Sequence, residues 1–314
     1  MNSKGPIEIS VIFATRNRER LLESTLTSLE RQEVNGIRWE VIVADNGSSD
    51  NTRTVLDRAR KRLPLTTLYE AQPGKARCLN LALEIARGEL LVFTDDDVQL
   101  STGWLSELLG AARRWPDSGI FCGPIHPRFA AEAPAWLRRH RFAAASFSIF
   151  EPASDEGPLR PGLLPFGPNF AVRARSMVEL RFCTKIGPSG SDYAMGGETE
   201  LLQRLVEKGE RVVYVPSAPV HHFVGEHQLE IGWLLKRAYR LGRGLARLRP
   251  DRTSVRINGV PWYLWCRVPL AGLRYLLTRF RKGAARLNGG LVFFMSRGEW
   301  HEYRLLSRES DRDE

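Results

Sequence analysis

The chain has 314 residues, 43% of them hydrophobic, with 46 Lys+Arg against 36 Asp+Glu, enough for one large domain or two around a substantial core. Its four cysteines, Cys78, Cys122, Cys183 and Cys266, lie far apart without CxxC or Cys/His spacing; this suggests neither a disulfide framework nor a zinc site and fits a reducing cytoplasm. Residues 1–229 carry 28 basic and 28 acidic side chains and residues 230–314 carry 18 and 8, so the formal excess of +10 sits wholly in the tail.

Met1 to Pro6 is polar and lacks an apolar stretch, so no secretory signal is read and a cytoplasmic location is expected. From there apolar runs of strand length alternate with helical spacing. Strands are expected over Ile7 to Ala14, Trp39 to Ala44, Thr66 to Glu70 and Glu89 to Thr94. Helices are expected over Leu21 to Gln32, Thr52 to Arg62 and Lys75 to Arg87. This βαβαβαβ rhythm predicts an α/β fold, with a mainly parallel sheet flanked by helices and ligands bound beyond the carboxyl ends of its strands.

The polar clusters all fall at such ends. Thr15, Arg16, Asn17 and Arg18 follow the first strand, and Asp45 to Asp50 follow the second. Asp45 there either accepts the imide N–H of a uracil-like base or closes an Asx-turn. Gly74, Lys75, Ala76 and Arg77 open a helix, offering basic groups and backbone N–H groups to an anion; the glycine and Ser/Thr pattern of a P-loop is missing. Three consecutive carboxylates, Asp95, Asp96 and Asp97, end the fourth strand. Like charges at one point resist desolvation unless a cation sits among them, and oxygen ligands suit Mg²⁺ or Mn²⁺ with phosphates completing the shell. The alternative is a solvated acidic turn capping a helix that starts near Ser101.

The runs Ser10 to Arg18, Val43 to Asp50, Gly74 to Asn80 and Phe93 to Val98 together resemble family 2 glycosyltransferases of the GT-A fold, in order and spacing over residues 7 to about 224. The resemblance implies a divalent cation, Mn²⁺ or Mg²⁺, on the diphosphate of a nucleotide sugar, usually UDP-linked, with Asp95 and Asp97 as its carboxylates. It implies Thr15 and Asp45 beside the nucleobase, Arg16 in the donor site, Lys75 or Arg77 near the base or diphosphate, and Asp96 nearer the sugar. Gly196-Gly197-Glu198-Thr199-Glu200 resembles the family's helix start carrying the general base. Glu198 falls at the base position, Glu200 remains a competitor for it, and Gly197 departs from the acid common there. His222, after Val215-Pro216, matches the histidine that completes the metal site, with His227 as the fallback. Adjacent histidines on a strand face opposite ways, so one of His221 and His222 at most reaches a given metal.

The reaction implied is inverting transfer of a sugar to an acceptor hydroxyl, in cell-surface glycan or polysaccharide biosynthesis, without a covalent nucleophile. Aromatics at Phe129, Trp136, Phe142, Phe147 and Phe150, with Trp104, would supply an acceptor lobe or simply core; Gly167 and Asn169 resemble a family motif on a sheet strand near the acceptor side. A domain over 1–225 would be followed by a basic, aromatic-rich helical region over 226–314. Trp262 to Leu277 is too broken by Arg267, Pro269 and Arg274 to span a bilayer. That region reads either as a helical subdomain or as an interfacial element for an anionic membrane surface on the inner face of the cell membrane, near a glycan or lipid-linked acceptor. A phosphatase of the haloacid-dehalogenase type is disfavoured because its aspartate belongs on the first strand. A non-catalytic module binding anionic membrane or nucleic acid explains the tail but neither Asp95 to Asp97 nor Glu198, so nucleic acid is not an expected partner.

Overall fold

The computed structural model describes residues 5–190, 192–251 and 253–313, so part of the amino-terminal stretch discussed above lies outside it. In chain order the first half contains β1 (Ile9–Thr15), α1 (Glu19–Glu30), β2 (Trp39–Asp45), α2 (Thr52–Ala59), β3 (Leu65–Tyr69), α3 (Lys75–Ile85), β4 (Leu90–Phe93), β5 (Val98–Leu100) and α4 (Trp104–Arg114). There follow β6 (Ile120–Cys122), β7 (Ile125–Phe129), α5 (Ala135–Arg138), α6 (Arg141–Ser146), β8 (Gly157–Pro158), β9 (Phe170–Arg173), α7 (Gly197–Glu207), β10 (Val212–Tyr214) and β11 (Val220–Val224). The remainder is α8 (Ile231–Leu248), the hairpin β12 (Arg256–Ile257) and β13 (Val260–Pro261), α9 (Trp262–Thr278) and α10 (Gly283–Asp313).

The main sheet has the order β3-β2-β1-β4-β9-β6-β10-β8. Strands β3, β2, β1 and β4 run parallel, as the alternating pattern requires, while β9 enters antiparallel to both β4 and β6. The order reverses at β1, between β2 and β4, and a crevice opens at such a switch point. Continuous burial of Ile9 to Phe13, Val41 to Ala44 and Leu90 to Phe93 reflects helices on both faces of the sheet. One buried charge is built into this core. Glu40 on β2 accepts from Ser10 Oγ at 2.7 Å and from Arg87 Nε and Nη2 at 3.1 and 2.6 Å. Burial pushes the Glu40 carboxyl up, but these bonds outweigh it and hold the pKa below the ordinary value.

The chain packs as two units. The first comprises residues 1–128, 147–184 and 197–223, and the second residues 129–146, 185–196 and 224–314. The second unit thus recruits two excursions of the chain, where charge alone drew one line at residue 225. Within it α8, α9 and α10 pack together; a Cβ on Gly242 would lie 1.9 Å from the Met295 carbonyl oxygen, and one on Gly298 would lie 2.0 Å from that of Tyr239. Only glycine permits so close an approach of two helix backbones. Among the described residues no helix is long and apolar enough to cross a membrane.

Candidate active site

Two loops at the carboxyl ends of β1 and β2 are stitched together. Asn17, at φ 52°, accepts from Ser49 N at 2.8 Å and donates its own backbone N–H to Ser48 Oγ at 2.9 Å. Asp50 accepts from Thr52 N at 3.0 Å and Glu19 N at 3.3 Å, a structural role at the start of α2. Asp45 is buried, and its Oδ1 accepts from Ser48 N at 2.9 Å, so the turn-closing role is present in this side chain. Asn46 carries more of the architecture than its sequence neighbours suggest. Its amide donates to Glu70 O and Gln72 O at 3.0 and 2.8 Å and accepts from Gly74 N at 2.8 Å. That fixes the turn at Gly74, whose φ of 152° suits glycine, and so sets where α3 begins.

Lys75, the first residue of α3, reaches two carboxylates: Asp95 Oδ1 at 2.5 Å and Glu198 Oε1 at 2.6 Å. Burial opposes its charge, but Asp95 and Glu198 outweigh that and raise its pKa. Glu198 stands in the first turn of α7, and a Cβ on Gly167 would come within 3.0 Å of its Oε1; the glycine leaves the carboxylate its space. Glu200, by contrast, is spent on Arg204, with oxygens 2.7 Å from Nε and from Nη2, an ordinary i,i+4 helix pair.

The three aspartates differ. Asp95 is held by Lys75. Asp96 is buried, and burial together with the neighbouring Asp97 pushes its pKa up to about 7; Thr15 and Arg18 counter part of this. Although Thr15 lies close enough to act on Asp96, its Oγ1 is buried without a geometrically sound hydrogen bond. Asp97 Oδ2 lies 3.8 Å from Arg18 Nη2, and its Oδ1 lies 3.4 Å from His222 Nε2. Burial acts against the Asp97 charge, yet His222, Arg18 and Lys75 keep its pKa low. Arg16 and Arg77 are exposed and stand outside this set of contacts, and His227 belongs to the second unit.

Strand pairing delivers the histidine. β11 runs antiparallel to β5 with His222 opposite Val98, and Phe223 N donates to Asp97 O at 2.9 Å. The alternation leaves His221 exposed and His222 buried. His222 Nδ1 is 3.0 Å from Phe147 O; donating there, it turns Nε2 towards Asp97. Asp97 Oδ1 is buried and has no hydrogen-bond partner of good geometry among the described residues. His222 Nε2 and Asp97 Oδ1, 3.4 Å apart, are the imidazole and carboxylate donors that would hold a divalent cation. The donor set therefore fits a hard divalent cation. No three His, Cys, Asp or Glu side chains converge as a closed site among the described residues, leaving such an ion dependent on phosphate and water for the rest of its shell.

Of the aromatics read either as an acceptor lobe or as core, Phe129, Trp136 and Phe142 are half-buried in the second unit, and the others take the core role. Trp104, Phe147 and Phe150 are core residues, exposed by 0, 1 and 6%; Trp104 is no sugar platform, because its indole N–H donates to Asn169 Oδ1 at 2.9 Å. Arg18, Asn46 and the Phe147 carbonyl are the participants that sequence reasoning left without a role. Arg18 and Asn46 were visible as polar residues at strand ends, whereas a backbone carbonyl leaves no trace in side-chain identity.

Residues 10–179 match the family model described as Glycosyl transferase family 2. The chain is 30% identical over 251 residues to the succinoglycan biosynthesis protein ExoM of Rhizobium meliloti, covering 78% of this chain and 76% of that one. Among solved structures it resembles the mannosyltransferase PcManGT of Pyrobaculum calidifontis, in complex with GDP-Man and Mn²⁺, at a TM-score of 0.57 and 19% identity over 98% of this chain and 88% of that one. It also resembles TarS 1–349 of Staphylococcus aureus in complex with UDP, at a TM-score of 0.52 and 15% identity over 98% and 92% of the two chains. These likenesses show the GT-A fold.

Proposed function

The chain belongs to glycosyltransferase family 2 and is a sugar transferase, and from that premise we propose that it moves a sugar from a nucleoside diphosphate sugar, UDP-linked in the first instance, to an acceptor hydroxyl with inversion. The acceptor we assign is a glycan or lipid-linked precursor of a surface polysaccharide, in keeping with the biosynthetic role that the rhizobial relative's name carries. UDP and GDP-Man are bound by the two structural neighbours, and both contain a nucleoside diphosphate. The diphosphate is therefore the part of the donor that both neighbours share.

One observation carries the reading: Lys75 joins Asp95 to Glu198 within 2.6 Å on either side, so a base and a diphosphate-facing carboxylate share one cation. Glu198 takes the proton of the acceptor hydroxyl as its oxygen bonds to the anomeric carbon. The bond from that carbon to the diphosphate oxygen breaks on the opposite face, and the electron pair leaves with the nucleotide. Lys75 orients the Glu198 carboxylate and keeps a positive charge beside the departing group. Asp97 and His222, with Asp95 adjacent, would hold Mn²⁺ or Mg²⁺, which when bound offsets charge on the diphosphate. Thr15, Asp45 and Arg16 would line the nucleoside end, Arg77 the diphosphate entrance, and Asp96 the sugar. The pairing of Glu200 with Arg204 supports Glu198 as the base.

Glu198→Gln tests this. Release of nucleotide from UDP-glucose or GDP-mannose should fall by about 10²- to 10⁴-fold, while nucleotide binding measured by thermal shift persists. Glu200→Gln should retain most of the activity. Full activity in Glu198→Gln, or its loss in Glu200→Gln alone, would overturn the assignment.

A further inference from the structure

The second unit carries an apolar surface that its own packing does not use. The inner side of α9 is occupied: Leu264 and Ala271 are buried and Tyr275 stacks on Phe293 at 5.9 Å, while Trp265, 39% exposed, sits at the border of the two sides and meets Trp300 edge-on at 5.7 Å. Its outer side presents Trp262, Leu270, Leu273, Leu276 and Leu277, followed by Phe280, all between 52 and 82% exposed. At 100° per residue these positions form one stripe about 120° wide, covered by nothing among the described residues. The preceding hairpin turns at Asn258-Gly259, both at positive φ, and adds Val255 and Ile257 at 72 and 49% exposure. Trp265 Nε1 donates to Ile257 O at 3.3 Å, tying hairpin and helix into one patch.

Charge identifies the occupant. Residues 253–298 contain eight Lys or Arg and no Asp or Glu. Arg274 and Arg267, the latter 4.0 Å from Glu299, lie along one side of the stripe, and Arg279, Arg281 and Lys282 cluster at its carboxyl end, all exposed. A second copy of the chain docked through the stripe would oppose these cations to themselves across a two-fold axis. Nucleic acid would engage the cations but leave the leucines unpaired with anything apolar. An anionic bilayer satisfies both: leucines and Phe280 enter the acyl boundary, tryptophans sit at the interface, and arginines meet headgroup phosphates. At 17 residues with Pro269 inside it, α9 lies on a bilayer and does not cross it.

We propose that α9 and the β12–β13 hairpin form a docking surface for an anionic lipid bilayer, with the helix in the plane of the interface. The inference stands apart from the transfer chemistry and fails separately from it. The full chain should float with vesicles of phosphatidylcholine mixed equally with phosphatidylglycerol, far less with phosphatidylcholine alone, and should release as salt rises. Leu273→Asp/Leu277→Asp should abolish flotation. Arg281→Glu/Lys282→Glu should weaken it about tenfold or more. Both variants should keep the wild-type far-ultraviolet circular dichroism and thermal unfolding transition, which shows that the chain still folds. Trp262→Phe/Trp265→Phe should remove the lipid-induced blue shift of tryptophan emission. Absence of flotation with every vesicle, or flotation unchanged in Leu273→Asp/Leu277→Asp, would overturn the proposal. So would a dimer that the same substitution dissociates, or binding that a DNA duplex abolishes.

Discussion

Asn169 is fully buried, and its amide answers three segments: Nδ2 donates to Pro124 O and Ala218 O at 3.0 and 2.9 Å, and Oδ1 accepts from Trp104 Nε1 at 2.9 Å. A Cβ on Gly123 would strike Ala218 O at 2.0 Å, so these segments close tightly around the amide. Asn169→Ala should therefore cost about 3 kcal/mol of unfolding free energy in urea titration, since it strands a donor and two acceptors; a loss near zero would contradict this. The sequence made the ionisable residues legible, because three adjacent aspartates and an acid at a helix start are hard to explain as mere surface. Asp45 was not decidable that way, since a turn acceptor and a base acceptor are the same residue at the same strand end. Gly167 was legible only through the motif it forms with Asn169; the space it leaves Glu198 was not, because that depends on a partner 31 positions away.

Among the elements, β5 decides whether the acidic rim meets its histidine. It is three residues long, pairs with β11 on one side, and on the other is edged by side chains of α1. Thr25 Oγ1 donates to Val98 O at 2.8 Å and accepts from Val98 N at 3.2 Å, Ser28 Oγ accepts from Leu100 N at 3.2 Å, and Gln32 Nε2 donates to Ser101 O at 2.7 Å. Leu22, Leu26 and Leu29 announced α1 by their spacing, whereas the buried polar stripe beside them serves a strand some 70 residues later in the chain, beyond any local pattern. Likewise the four residues of β9, seated between β4 and β6, carry no period of their own, and only the resemblance at Gly167 and Asn169 pointed to a sheet strand there. Thr25→Val preserves shape but leaves both Val98 groups without their partner. It should destabilise the protein by about 2 kcal/mol and weaken metal-dependent nucleotide affinity by displacing Asp97, as calorimetric unfolding and titration would show. Destabilisation without any change in that affinity would remove β5 from the account of the site.

At the scale of the molecule, the charge asymmetry is real, but it is not simply surface. In the second unit Glu302 is fully buried between Arg243 and Arg247, with Arg243 Nε 2.5 Å from its carboxylate and Arg243 Nη1 2.7 Å from Asp192. Burial opposes the Arg243 charge, and Glu302 and Asp192 overcome it. Glu302→Ala would leave two arginines facing each other in the interior and should cost about 3–5 kcal/mol, read as earlier calorimetric melting; an unchanged transition would contradict the network's role. Composition located this basic region, yet it could not show that residues 129–146 and 185–196 join it, because grouping distant segments depends on packing. The central claim, that Asp97 and His222 form a metal-assisted diphosphate site beside the base Glu198, is tested most directly by titrating UDP and GDP into the protein with Mn²⁺, with Mg²⁺ and with chelator, and repeating the series with Asp97→Ala. Metal-dependent binding of one nucleotide, lost in Asp97→Ala, is the predicted result; equal binding with chelator, or binding undiminished in Asp97→Ala, would contradict it.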